Sequence, residues 1–407
     1  MNGLAPPSAG PGPLAGIRVV DLSNVFSGPM ATALLADQGA SVIKVEAPEG
    51  DTSRKVGPAK GDLSAAFITL NRGKRSIALD LKRPEAQEIL AHLVRKADVL
   101  VSNFRPGVLA RLGLDRAQVG SLNPALVQLS ITGFGPDGPR AEDRAYDAVI
   151  QAVAGVSASH RDKHSGQPAL LATTLCDKLT ALTAAQAVTA ALFARSRDGK
   201  GRHVEVSMLD ATLAFQWIDA MYNHVLLDAP PQGFPEMGVT LKPYATADGM
   251  VAVMAPQQAE FAALCRALGR PDIAQDERFA SLQARSRHAP ELRAVLEPLI
   301  AAQHTTAFEA ASRVEGAPVG RVNERAEVLT DPQVLHNKTL VEFDHGSVGR
   351  VRLARAAALF DGAPLEPASP APHLGEHGRA VLGEFGFDDA QISRWVASGV
   401  LRLPVGS

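Results

Sequence analysis

From Ile17 onward the chain alternates short β-branched runs with longer stretches of helical periodicity. Ile17–Leu22 reads as a buried strand, Pro29–Gln38 as a helix stopped by Gly39, and Ser41–Glu46 as the next strand. Ser76–Asp80 predicts a strand. Pro84–Ala97 predicts a helix with proline in its first turn and Arg95-Lys96 in its last. Asp98–Ser102 and Leu126–Thr132 complete the set of strands. Strands separated by helices of this length argue for parallel βαβ units in a doubly wound α/β layer.

Further along, Leu179–Ala194 is helical by composition. The turn Asp198-Gly199-Lys200-Gly201 leads into a strand at His203–Val206, and Leu209–Leu227 again reads as helix. The pattern breaks at Asp228-Ala229-Pro230-Pro231-Gln232-Gly233, a hinge into a second lobe. That lobe holds strands within Tyr244–Ala255, around the turn Ala247-Asp248-Gly249, and helices to about Arg313. The character changes at Gly320–Pro332, and strands return at Leu340–Phe343 and Gly349–Leu353. A proline-rich stretch at Ala363–Pro372 precedes a last helix near Asp388–Val400. The start, Met1–Pro13, is rich in Pro, Gly and Ala and reads as a flexible tail. It resembles neither a signal nor a transit peptide, which makes the cytoplasm the expected compartment.

With 407 residues, two lobes are the expectation. Lys and Arg (41) nearly balance Asp and Glu (43), so nothing in the net charge calls for nucleic acid or an anionic membrane as partner. No apolar run is long enough to span a bilayer. Two cysteines, Cys176 and Cys265, make no disulfide framework, and the histidines show no metal-ligand spacing, so no metal is expected.

Several segments could carry chemistry. Gly133-Phe134-Gly135-Pro136-Asp137-Gly138 fits a dinucleotide fingerprint in letters only. Pro136 lacks an amide, polar residues follow, and the motif belongs after the first strand. Arg72, Lys74 and Arg75 precede a strand and read as a loop cluster suited to phosphate, or as an ordinary solvated patch. Arg105 follows the strand at Asp98–Ser102, on the side where open α/β sheets place ligands. Arg111 and Arg144 add to the basic set. Asn103-Phe104 could orient an amide and pack on an adenine, or form a turn with a buried ring. Asp147, beside Tyr146, could be a base or hold a loop, and Glu46 reads as structural. No Ser…His…Asp order or G-x-S-x-G elbow is present. Asp177, in Leu175-Cys176-Asp177-Lys178 at the mouth of a helix, could cap that helix or act as a carboxylate nucleophile at its positive end.

Taken together, Leu14-Ala15-Gly16-Ile17-Arg18-Val19-Val20-Asp21, Asn71-Arg72-Gly73-Lys74-Arg75-Ser76, Asn103-Phe104-Arg105-Pro106-Gly107 and the stretch around Asp177 resemble the class III coenzyme A transferases. That family includes formyl-CoA transferase, carnitine CoA-transferase and the related α-methylacyl-CoA racemases. The likeness runs from Pro13 to about Ala214, with a second patch at Pro372-His373-Leu374-Gly375-Glu376-His377. It implies an interlocked homodimer with a Rossmann-like large domain (14–228 and 321–407) and an inserted smaller α+β domain (229–320). It makes Asp177 the catalytic aspartate. Asn103, Phe104 and Arg111 become coenzyme A contacts; Val25, Asn71, Lys74, Arg75 and Arg144 lie in stretches lining the nucleotide and pantetheine site. Tyr146 matches a tyrosine near the acyl group.

The implied partners are an acyl-CoA donor and a carboxylic acid acceptor. Coenzyme A is then part of the substrate, and no separate cofactor is implied. The mechanism implied runs through an aspartyl anhydride and an aspartyl-CoA thioester. Departures from the pattern are Phe26 in place of a glutamine, Ala47 in place of a basic residue, and only Gly233 and Gly238 in the segment 232–238 that would correspond to a multi-glycine active-site loop. Phe26 argues against oxalate as main substrate. The racemase branch needs a histidine where this chain has Tyr146, and an unperturbed phenol, titrating near 10, is a poor base, which favours transfer. A non-catalytic CoA-binding subunit is the remaining alternative.

Overall fold

A computed structural model describes residues 12–162, 165–228, 242–365 and 369–404. The chain divides into two compact units. One comprises Met1–Ser157, Leu170–Phe215 and Lys338–Ser407; the other comprises Ala158–Ala169 and Gln216–Asn337. The long stretch of the second unit thus runs from Gln216 to Asn337, with Ala158–Ala169 added to it, while the sequence pattern suggests 229–320. The helix starting at Met208 ends at Gln216, well short of Leu227, which moves the first division earlier.

The first unit is built on a seven-stranded sheet. Its strands are β1 (Arg18–Asp21), β2 (Ser41–Glu46), β3 (Lys74–Leu79), β4 (Val99–Ser102), β5 (Val127–Thr132), β6 (Arg202–Ser207) and β7 (Leu401–Arg402), in the order β7-β3-β2-β1-β4-β5-β6. All neighbours are parallel except β7, which runs antiparallel to β3 and pairs Leu401 with Leu79. The inner strands are buried on both faces, as parallel sheets covered by helices must be, while the edge strands β6 and β7 are partly exposed. One face (Val20, Ile43, Ile77, Leu100) packs on α2 (Pro84–Arg95), α3 (Arg116–Leu122), α6 (Gly378–Glu384) and α7 (Asp389–Ala397). Helix α2 offers Ala86, Ile89, Leu90, Leu93 and Val94 to it, a 3.6-residue stripe. The opposite face (Val19, Val42, Val101, Leu129) packs on α1 (Ser27–Asp37) and α5 (Leu175–Asp198). Helix α5 buries Asp177, Thr180, Ala181, Ala184, Ala185 and Val188 at the same spacing and ends at Gly199, whose φ is 72°.

Six buried charges lie beneath the β1–α1 connection. Lys44 pairs with Asp51 at 2.8 Å, Lys74 with Asp21 at 3.0 Å, and Arg54 grips Glu46 through Nε and Nη2 at 2.7 Å each. The Arg54 guanidinium also lies 3.5 Å from the centroid of the Phe67 ring. Charges this deep persist only when paired and hydrogen-bonded.

The second unit has a three-stranded antiparallel sheet of Tyr244–Ala245, Met250–Val253 and Val319–Arg321. Its core joins Val251, Phe261, Leu264, Phe279, Leu296, Ile300 and Phe308. Among the described residues no helix is long and apolar enough to cross a membrane, and no His/Cys/Asp/Glu cluster could hold a metal ion.

Candidate active site

The carboxyl ends of β1, β4, β5 and β6 open on a cavity of about 360 Å³. Asn24, Val25 and Ser27 come from the β1–α1 connection; Asn103, Phe104 and Arg105 follow β4; Thr132 and Gly133 close β5. Met208, Arg144, Tyr146 and Asp177 complete the wall. This is the side of an open α/β sheet where the loops diverge and leave room for a ligand.

Asp177 is 9% exposed in the first turn of α5. Neither it nor any other side chain caps that helix at the Thr174 position. Its carboxylate instead faces the amide and hydroxyl of Ser27, at the N-terminus of α1, which likewise lacks a side-chain cap of its own. The backbone N–H of Asp177 donates to Asp147 Oδ2 at 2.9 Å. Asp147 opens helix α4 (Asp147–Val153) and is 6% exposed. Gln151, one turn along, locks it by donating to Asp147 Oδ1 and to the Thr173 carbonyl, while accepting from the Leu171 amide. Asp147 thus satisfies an orphan amide of the next helix.

Burial, and then the neighbouring Asp147 charge, push the Asp177 carboxyl up to about 6, with the facing Ser27 groups opposing them. It is ionised at neutral pH and poorly solvated, a suitable state for a carboxylate nucleophile. Cys176, next in line, is fully buried, and burial pushes its thiol up to about 11, which rules it out as the attacking group.

The β1–α1 connection is held tightly. Val25 sits at φ 70°, a left-handed conformation that a β-branched residue adopts at a cost of ~1–3 kcal/mol. Asn103 clamps its neighbour, accepting from Asn24 N at 2.9 Å and donating to Asn24 O at 2.7 Å. Val25 N–H donates to Asp51 at 3.0 Å, and Lys44 Nζ donates to the Ser23 carbonyl at 2.8 Å. Across the cavity Gly133 is obligatory, because a Cβ there would lie 2.2 Å from that of Ala145.

Of the residues singled out from the sequence, Val25, Asn103, Phe104, Arg105, Arg144, Tyr146 and Asp177 meet at this cavity. The guanidiniums of Arg105 and Arg144 make no ion pair among the described residues, and both residues are exposed. Others lie elsewhere. Lys74 is a strand residue, not a loop residue; it is fully buried and donates to Asp21, to the Pro29 carbonyl and to Asn71 Oδ1. Asn71 is buried with it and donates to the Phe67 carbonyl. Neither lines the cavity. Arg75 pairs with Glu384 on α6, and Arg72 with Asp37 at the end of α1. Phe26 is the residue before α1 and does not line the cavity, nor does the exposed Arg111. Gly233, with the segment 232–238, lies outside the described residues.

Sequence reasoning missed Ser27, Gln151 and Met208. Gln151 had a signal, its i,i+4 spacing from Asp147; the pairing of Ser27 with a residue 150 positions away had none.

One arrangement outside the cavity looks catalytic. Ser347 Oγ is 2.9 Å from His373 Nε2, and His373 Nδ1 is 2.5 Å from Asp62 Oδ1. Yet the amides beside the serine are already used, Gly346 N–H by Asp344 and Ser347 N–H by the His345 carbonyl. With both of these amides engaged, the chain reads as a tie between a hairpin loop and the Pro372–His377 segment.

Comparison with known proteins bears on this geometry. The profile of the family described as CoA-transferase family III matches residues 14–378. The succinate–glutarate CoA-transferase of Agrobacterium fabrum is 37% identical over 383 residues, 91% of this chain and 95% of that protein. The acetyl-CoA:oxalate CoA-transferase of Acetobacter aceti is 34% identical over 389 residues, 95% of this chain and 99% of that protein. Among solved structures, a CAIB/BAIF family protein from Brucella suis superposes with a TM-score of 0.78 at 33% identity, covering 92% of this chain and all of that one.

Proposed function

The chain belongs to CoA-transferase family III and is a class III CoA-transferase, and from that premise we propose that it transfers coenzyme A from an acyl-CoA donor to a short dicarboxylic acid through covalent intermediates on Asp177. The observation that carries the reading is the cavity whose wall combines the buried Asp177 carboxylate with Arg105 and Arg144, two exposed arginines without an ion pair among the described residues. The names of the Agrobacterium relative and of the human succinyl-CoA:glutarate CoA-transferase, 32% identical over 394 residues, support four- and five-carbon diacids.

The steps follow from the groups present. Asp177 attacks the donor thioester carbonyl, and the C–S bond breaks to give a mixed anhydride and CoA thiolate. The thiolate attacks the aspartyl carbonyl of the anhydride, which releases the donor acid and leaves an aspartyl-CoA thioester. An acceptor carboxylate attacks that thioester, and the two steps reverse. Every bond broken is replaced by one of similar energy, so no nucleotide hydrolysis enters. The Ser27 amide, at the positive end of α1, faces the carboxylate and is placed to stabilise oxyanion character on it. Arg105 and Arg144 would take coenzyme A phosphate and the far carboxylate of the acceptor. Asn71 and Lys74 are left out of the ligand set, being consumed in the internal network.

A homodimer also belongs to this reading; Phe193 and Phe215, each more than half exposed in the first unit, support it. Light scattering on the purified protein tests that part.

The covalent scheme is tested by incubating the protein with succinyl-CoA and then hydroxylamine, followed by peptide mass spectrometry. A hydroxamate at Asp177, formed only with donor present and absent from Asp177→Ala, is the expected result. Full transfer activity in Asp177→Ala would refute the scheme.

A further inference from the structure

We infer that the buried Lys44–Asp51 ion pair is a positioning device for acyl transfer, which holds Val25 in its left-handed turn and, through it, holds Ser27 against Asp177. The inference rests on Asp177 being the reacting group.

Three observations point the same way. Val25 is β-branched with φ 70°, a conformation that the sequence disfavours and the surroundings must impose. Its N–H is fixed by Asp51 at 3.0 Å, and Asp51 is fixed in turn by the Ser53 amide and by Lys44, which is fully buried. Lys44 also grips the Ser23 carbonyl, so the one ion pair holds the connection at two points on either side of Asn24. Two residues beyond Val25, Ser27 presents its amide and hydroxyl to the carboxylate.

A loop needed only to join β1 to α1 would do so with glycine at this position and no strain. Glycine stands nearby at 28, where a Cβ would lie 2.2 Å from that of Ser23, so the glycine of this turn is used for packing and the strain falls on Val25. Strained residues that persist beside a reacting group fix geometry that relaxation would blur. Asp51 and Lys44 do not line the cavity, and so act through Val25.

The test compares V25G with V25A, because both lose the valine contacts to the cavity and only glycine releases the backbone. V25G should melt about 2 °C or more above V25A, while its kcat for CoA transfer falls about tenfold below that of V25A at similar KM for acyl-CoA. A melting point for V25G at or below that of V25A would overturn the strain, and equal kcat values would overturn the positioning role. The double variant K44M/D51L removes both buried charges together, so it folds where either single change would strand an ion. It should melt several degrees below wild type, because the Val25 and Ser53 amides and the Ser23 carbonyl lose their partners, and lose about tenfold in kcat; wild-type kcat in the folded double variant refutes the inference. Wild-type protein that traps no donor on Asp177 would sink the proposed function instead, while the melting comparison still decides whether the strain is real.

Discussion

Replacing Asp177 by asparagine should make the protein more stable while abolishing transfer. Its carboxyl is raised from 3.8 to about 6 by burial and by Asp147. At about 1.36 kcal/mol per pKa unit, ionised Asp177 costs the fold ~3 kcal/mol at most. Asparagine keeps the acceptor oxygen for Ser27 and removes the charge that burial and Asp147 oppose. Some burial survives in compact denatured chains, so the expected gain is ~1–3 kcal/mol, or a rise of roughly 1–4 °C in Tm at pH 7.5.

The sign depends on pH in a defined way. Because the folded-state pKa lies above the unfolded one, the native protein binds this proton more tightly. The wild type therefore loses stability as pH rises from about 4 through about 6, and loses none from this group below that window. The advantage of D177N should be full at pH 8, shrink through pH 6 and vanish near pH 4. Thermal unfolding of both proteins at these three values measures it. A D177N protein no more stable than wild type at pH 8, or a difference that does not shrink on acidification, would refute the electrostatic account of the site.

Three further outcomes follow from the same geometry. Asp147→Asn, which keeps the acceptor for the Asp177 amide but removes a charge, should move the acid limb of the kcat profile below pH 6; an unmoved limb would mean that Asp177 does not feel Asp147. Arg144→Gln should raise KM for a dicarboxylate acceptor about tenfold or more and change KM for a monocarboxylate far less, as steady-state kinetics with paired acceptors would show. Arg54→Met retains packing over Phe67 but strands the buried Glu46 carboxylate, so urea unfolding should report a loss of ~3–5 kcal/mol.

Much of the parallel sheet was legible in the chain. Ser41–Glu46 alternates and terminates as a buried strand should, and the strand found there has the same ends. What the chain leaves illegible has a common physical origin in partners distant in sequence. Lys74 reads as a loop cation because lysine seldom starts a buried strand, and only the Asp21 carboxylate across the sheet explains it. Asp177 could from the sequence be a cap for its own helix or a nucleophile; the structure gives that helix no side-chain cap and turns the carboxylate toward α1. Arg75 resembles a phosphate ligand until Glu384, more than 300 residues later, takes it up. Four of the cavity residues that sequence did find share one property. Asn103, Phe104 and Arg105 directly follow β4 and Val25 lies in the connection after β1, so the sheet itself delivers them to one edge.

The antiparallel strand β7 has a consequence in time. Leu401 and Arg402 cover the outer edge of β3, which ends at Leu79. On a ribosome adding about 5–20 residues per second, β3 leaves the tunnel roughly 15–60 s before its neighbour is made. Throughout that interval a row of unpaired amides and carbonyls on a hydrophobic strand stands open to other nascent chains. The sheet therefore closes as a late event of synthesis, and the yield of native enzyme should depend on how well this edge is guarded until its final strand arrives.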